Sequence, residues 1–169
     1  MGKSPGGLSQ GVVSAGEFRQ PMPPLPRPLA VYFEGLRTHD LALIASSFSP
    51  ATVFVTPVKT MRSGEILDFL GALYRACPDW SYAYHEEELD FRDDGMIGVK
   101  WRQGGTHTGP LEFPGFPATP ATGRQVTIPA HYFYYQVEGD ALVGIRPVPV
   151  PGGAPRGIFE QIGVALPPL

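Results

Sequence analysis

The stretch WSYAYHEEELDFRDDGMIGVKWRQGGTHT, Trp80 to Thr108, decides the fold, because the apolar spacing there changes to a period of two. Trp80, Tyr82 and Tyr84 share one face of an extended segment, whereas Leu89 and Phe91 have the opposite parity. A continuous apolar face then requires a bulge within His85-Glu86-Glu87-Glu88. Asp94-Gly95 carries the signal of a hairpin turn. Two long strands follow, Met96 to Thr108 and Arg124 to Val137. They are joined by GPLEFPGFPATPATG, Gly109 to Gly123, which can be neither helix nor central strand. Glu138-Gly139-Asp140 turns the chain into a last strand, Ala141 to Val148.

Upstream of this stretch the period is helical. Leu29, Tyr32, Phe33 and Leu36 form one set, and Leu41, Ile44, Ala45 and Phe48 a second. Pro28 suits a first helical turn, and Asp40 or Thr38 can cap the second segment. His39, in the turn between them, is expected to face solvent. ATVFVT, Ala51 to Thr56, reads as a short strand. Ser63 is a candidate cap for an amphipathic helix whose stripe is Ile66, Phe69, Leu70, Leu73, Tyr74 and Cys77, the last a core residue. Arg156 to Gly163 reads as a closing helix with Ile158, Phe159 and Ile162 inward. Helices first and consecutive antiparallel strands after make the fold α+β, a curved antiparallel sheet packed against N-terminal helices.

The chain has 169 residues, 13 Lys+Arg and 16 Asp+Glu, and a net charge of -3, which suits one domain and argues against nucleic acid or an anionic membrane as partner. Gly and Pro are abundant, at 21 and 20 residues. Their first cluster lies in residues 1–28, which end in PMPPLPRP and read as a flexible tail before a single domain at 29–169. The start of the sequence lacks the sustained apolar core of a secretory signal, and no run is long enough to span a membrane, so a cytoplasmic location is expected. The single cysteine excludes an internal disulfide.

The histidines His39, His85, His107 and His131 form no H-x-H or H-E-x-x-H pair, so no metal site is expected. His107 and His131 lie on the two long strands beside large aromatics. There each is either a hydrogen-bonded core residue or a neutral imidazole available as a general base. Phe54, Trp80, Tyr82, Trp101 and Tyr134, with Tyr132, are either core or the lining of a pocket for a flat apolar ligand. The second long strand is apolar on both faces, so a homodimer through the sheet is expected.

Four stretches, YFEGLRTHDLALIASSFSPATVFVTP (Tyr32 to Pro57), RSGEILDFLGALYRACPDW (Arg62 to Trp80), GTHTGP (Gly105 to Pro110) with TGR (Thr122 to Arg124), and the closing strand and helix, resemble the SnoaL-like polyketide cyclase family. The resemblance covers about Leu29 to Gly163. It implies the cone fold of the nuclear transport factor 2-like superfamily, a deep pocket, and dimers. It also implies ring closure by an intramolecular aldol reaction without metal or organic cofactor. In such cyclases a His or Asp stands on the penultimate strand about ten residues after the Thr of the TGR-like motif, which here is Tyr132, with His131 just before it. Adjacent strand residues face opposite ways, so His131 takes that place only if a bulge intervenes. The family's acid falls at Pro147, which leaves a small-molecule pocket without the standard acid. The alternative is a cofactor-independent cyclase, isomerase or dehydratase using His107, His131 or Tyr132. Phe113 and Phe116, in the Pro-rich loop, are available as a lid over the cone mouth.

Overall fold

A computed structural model describes residues 24–168. The flexible tail expected over residues 1–28 lies, up to residue 23, outside the described residues. The first helix, α1 (Arg27–Thr38), buries Leu29, Tyr32 and Leu36 on one stripe. It ends at His39, whose backbone is left-handed with φ 56°. Asp40 then starts α2 (Leu41–Ser46), its carboxylate accepting from the Leu43 amide at 3.0 Å. The chain continues through β1 (Phe48–Val55), β2 (Thr60–Arg62), α3 (Ser63–Ala76), β3 (Ser81–Ala83), β4 (Asp90–Phe91), β5 (Ile97–Thr106), β6 (Gln125–Glu138), β7 (Ala141–Pro147) and α4 (Arg156–Gln161). No helix among the described residues is long and apolar enough to cross a membrane.

The strands form one seven-stranded sheet in the order β2-β1-β7-β6-β5-β3, with β4 also on β5. The sheet is mixed, because β1 lies parallel to β7 while the other pairs run antiparallel, as the sequence suggests. It curves around α1, α3 and α4, and the core lies in the concavity: Leu29, Ile66, Val99, Tyr135, Ile145, Ile158 and Phe159 are all buried.

Breaks in register, one between β1 and β7 and two along β6, give the sheet its curvature, and those along β6 decide which of its side chains face the concavity. Between the pairs Trp101↔His131 and Gln103↔Ile128, β5 advances two residues and β6 three. The extra residue falls at Pro129-Ala130, where proline has no N–H to contribute to the ladder. Upstream of it Val126 and Ile128 are buried; downstream His131, Phe133 and Tyr135 face inward and Tyr132 and Tyr134 outward. A second shift lies between Gln136↔Gly144 and Val137↔Leu142.

Several local expectations change. The parity reversal at His85 to Glu88 is achieved by a 3-10 turn, Glu86–Glu88, rather than by a bulge. Glu88 is held there by Arg102 at 2.8 Å. Ser63 is the first residue of α3 rather than its cap; the Glu65 carboxylate accepts from the Arg62 amide, while the Ser63 hydroxyl reaches the Ser49 carbonyl. His39 is half-buried rather than exposed, because its ring stacks on Tyr74 at 3.9 Å and Nε2 donates to the Trp80 carbonyl at 2.7 Å. Cys77 is buried as expected, and burial pushes its thiol up to about 11, which keeps it neutral.

Candidate functional site

A cavity of about 100 Å³ lies between the sheet and helices α1 and α3. Its walls come from Tyr32 and Leu36 of α1, Phe69, Leu70 and Leu73 of α3, and Phe54 of β1. Thr56, Met61, Tyr82, Trp101, Gln103, His131, Phe133 and Tyr135 complete the sheet side, and Pro147, Ala154 and Pro155 border it near α4. No lining residue carries a full charge of fixed sign. The space is well below the roughly 300 Å³ at which drug-sized pockets begin and nearer to that of a single small ring.

His131 reaches this cavity because of the Pro129-Ala130 bulge. With regular alternation from Ile128, the inward residues would be Ala130, Tyr132 and Tyr134; the extra residue brings His131 inward instead. The imidazole Nδ1 lies 2.8 Å from the Val148 carbonyl. A carbonyl only accepts, so Nδ1 carries the proton and Nε2 carries the lone pair when the ring is neutral. Burial pulls the pKa below the ordinary imidazole value, with the Val148 carbonyl partly opposing the shift. The ring is therefore neutral near pH 7, and its basic nitrogen is not engaged by any described residue.

His107 is placed differently. It is 0 % exposed and does not border the cavity. The Thr122 amide donates to Nδ1 at 3.2 Å, and the Thr122 hydroxyl is 2.9 Å from the same atom. Nδ1 must then accept, so the proton sits on Nε2, the one fully enclosed side-chain polar atom without a partner among the described residues. The backbone of His107 also pairs with Arg124 and Gly123, closing the base of the Pro-rich loop. Its neighbours lock GTHTGP onto the end of α3: the Thr108 and Gly109 amides both donate to the Ala76 carbonyl, and Asp79 accepts from the Thr106 amide and hydroxyl. A Cβ at Gly109 would run into the Arg75 carbonyl, which explains the glycine.

The remaining candidates divide cleanly. Phe54, Tyr82 and Trp101 border the cavity. Tyr132 and Tyr134 do not, because the bulge turns them to the outer face, where their hydroxyls donate to the Glu88 carbonyl and the Asp90 carboxylate, each at 2.8 Å. Trp80 stands one layer behind, its Nε1 donating to Gln103 at 3.4 Å. Phe113 and Phe116 form a second layer instead of a lid. Phe113 stacks on Phe69 at 4.8 Å and Phe116 on Phe159 at 4.6 Å, so the loop is pinned to α3 and α4. His107, Trp101 and Tyr132 consequently share no cavity, contrary to their proximity on neighbouring strands.

Of a group of four tyrosines, the sequence singles out only Tyr82 as a pocket residue. Tyr32, Tyr82 and Tyr135 border the cavity, and Tyr74 hydrogen-bonds Tyr82 hydroxyl to hydroxyl at 2.8 Å. Trp101 Nε1 donates to the Tyr135 hydroxyl at 2.7 Å. Burial raises the pKa of all four, Tyr74 to about 12 and the other three above their ordinary value, so each stays protonated. No group of three or more His, Cys, Asp or Glu among the described residues is placed to hold a metal.

The model of a family described as "SnoaL-like domain" matches residues 29–145. No curated protein matches the chain. Among solved structures, one from Jannaschia provisionally described as a SnoaL-like polyketide cyclase aligns with a TM-score of 0.63 at 13% identity, covering 88% of this chain and 100% of that one. AclR from Streptomyces galilaeus, provisionally described as a hydroxylase, gives 0.62 at 18% identity over 80% and 78% of the two chains. IdmH from Streptomyces antibioticus, provisionally described as a polyketide cyclase, gives 0.54 at 18% identity over 72% and 88%. At these identities the likeness is one of fold.

Proposed function

The chain belongs to the SnoaL-like domain family, and from that premise we propose that it binds a small, uncharged, mainly apolar molecule in its cone and uses His131 as a general base toward it. The observation that carries this reading is the bulge at Pro129-Ala130, which sets an imidazole with an unengaged Nε2 on the cavity wall. A positioned neutral imidazole can remove a proton from a carbon acid, and such a base contributes roughly 10²–10⁴-fold. The walls support an apolar ligand, and the chemistry needs no metal or organic cofactor.

A second reading, binding without turnover, is favoured by Pro147. It borders the cavity on β7 and has no proton to exchange where the cyclases of this family place an acid. The opening of a nitrobenzisoxazole separates the two. In that reaction a base takes the ring C–H proton, the electron pair forms a nitrile, and the N–O bond breaks to release a phenolate. The protein should accelerate it, with a rate that rises with pH through the lowered His131 pKa and then levels. His131→Gln should lose the acceleration by about 100-fold. An unaltered rate in that variant removes His131 from the reading.

Pairing of two copies through the outer face of the sheet belongs to the same proposal. Tyr132 and Tyr134 are stacked there at 5.9 Å beside Lys100, Arg102 and Arg146, and tyrosine and arginine are favoured at interfaces. Sedimentation equilibrium tests it: a monomer at micromolar concentration defeats the pairing.

A further inference from the structure

The closed end of the cavity holds more hydrogen-bond donors than the protein uses. Tyr135 is 1% exposed, and its hydroxyl oxygen accepts the Trp101 Nε1–H, so the oxygen is fixed and its own proton finds no acceptor among the described residues. Tyr32 is 3% exposed, packs with its ring centroid 5.8 Å from that of Tyr135, and finds no hydroxyl partner among the described residues. Tyr74 and Tyr82 share one proton between their oxygens, and the accepting hydroxyl of that pair keeps its own. Phenolic protons that stay unengaged inside a protein are costly, because each forgoes the hydrogen bond it had in water. No carboxylate borders the cavity to receive them.

We propose that the Tyr32 and Tyr135 hydroxyls form a binding site for the acceptor oxygen of a flat neutral ligand, a ketone, aldehyde or quinone carbonyl, at the closed end of the cone. The inference rests on the reading of the cavity as a small-molecule site and names the chemistry of its occupant. Trp101 holds the Tyr135 oxygen so that the free proton is kept for the ligand. The ring of Tyr32 arrives from α1, on the opposite side, so a carbonyl oxygen entering between them can accept from both of its lone-pair directions. The absence of lysine and arginine from the walls favours a neutral acceptor over a carboxylate or phosphate.

The geometry also orients the ligand. His131 and Tyr135 lie on the same face of β6 four residues apart, roughly 13 Å along the strand. His131 is half-buried and Tyr135 fully buried, so the base stands toward the open end and the hydroxyls at the closed end. The cavity of about 100 Å³ suits an occupant of about one ring, with its carbonyl toward the hydroxyls and an acidic C–H toward His131. A single-ring ketone is therefore the probe of the hydroxyl site.

Acetophenone and ethylbenzene have nearly the same shape and differ in one oxygen. Titrated into the full chain and followed by tryptophan fluorescence, acetophenone should bind about tenfold more tightly. The carbonyl stretch of ¹³C-labelled acetophenone should fall on binding, as expected for an oxygen accepting from phenols. Tyr32→Phe removes a hydroxyl that no described residue engages, so the fold should keep it, and it should erase most of the preference and part of the band shift. Tyr135→Phe should do the same, but it also orphans the Trp101 N–H, so the Tyr32 variant and the wild-type infrared band are the deciding measurements. Equal affinity for the two ligands, or an unshifted carbonyl band, overturns the hydroxyl site and leaves the cavity reading standing. Binding of neither ligand overturns both.

Discussion

His107 and His131 flank the same pair of strands, and burial lowers the pKa of both, yet their surroundings give them opposite uses. At His107 the protein supplies the proton to Nδ1, through the Thr122 amide, and encloses Nε2 completely. At His131, which borders the cavity, the protein supplies an acceptor to Nδ1, the Val148 carbonyl, and leaves Nε2 with its lone pair and no partner among the described residues. A buried, low-pKa histidine is thus no sign of catalysis by itself. The tautomer that its neighbours impose, and the space beside the remaining nitrogen, decide between a loop staple and a base. The region around His107 should therefore answer in stability and the region around His131 in chemistry.

The largest expected effect belongs to the loop region. Phe159 is fully buried and clamps Phe113 and Phe116 from α4. Phe159→Ala should cost about 3–5 kcal/mol of unfolding free energy in urea, by lost transfer and an unfilled cavity. Turnover of the nitrobenzisoxazole per folded molecule should be kept. A loss of turnover with the fold intact would mean that the two regions are coupled. His107→Ala should follow at about 2–3 kcal/mol, because it strands the Thr122 amide and opens the base of the loop. It too should leave turnover per folded molecule unchanged, whereas a His131→Gln chain should unfold close to wild type and lose the chemistry.

The pH dependence of stability tests what the two histidines have in common. For both histidines the folded pKa lies below the unfolded one, so below about pH 6.5 the unfolded chain binds more protons and stability falls as the pH is lowered. Above that value the contribution is fully present. Each ring can add at most about 1.4 kcal/mol per pH unit to the slope. His107→Asn and His131→Gln should each flatten the fall of the urea midpoint between about pH 6.5 and 5. An unchanged slope in either variant would mean that its histidine does not carry a lowered pKa in the folded chain.

Much of the frame that holds these two residues could be read in the chain itself. The stripe of α3, the Asp94-Gly95 turn and the inward Ile158, Phe159 and Ile162 of α4 are local signals, and local physics decides them. The bulge that exchanges His131 for Tyr132 also left a mark, since a proline inside an otherwise apolar central strand, Pro129, is tolerated mainly at a bulge. The tyrosine hydroxyls left none. Tyr32, Tyr74, Tyr82 and Tyr135 come from α1, α3, β3 and β6, and each occupies a position indistinguishable from ordinary core in its own element. Only the packing of four elements joins the Tyr74 and Tyr82 hydroxyls and brings Tyr32, Tyr82 and Tyr135 to one cavity wall. Phe113 and Phe116 mislead for the same reason: a loop aromatic is free to cover a mouth or to fill a gap behind it, and here Phe69 and Phe159 take them up.

The smallest expected effect tests the link between β7 and the base. Pro147 pairs with Phe133 and borders the same cavity as His131, whose Nδ1 is held by Val148, the residue just past the end of β7. Pro147→Asp would place a carboxylate near an imidazole that now has no charged neighbour in the cavity wall. The carboxylate favours the imidazolium, so the His131 pKa should move up toward or past its ordinary value and the midpoint of the rate–pH profile should move up with it. Pro147→Asn, which adds the same bulk and the same backbone N–H without the charge, should leave the midpoint near that of the wild type. A midpoint that fails to rise in the Asp variant would mean that position 147 does not act on His131. The chemistry of the cone would then depend on β6 and the tyrosines alone.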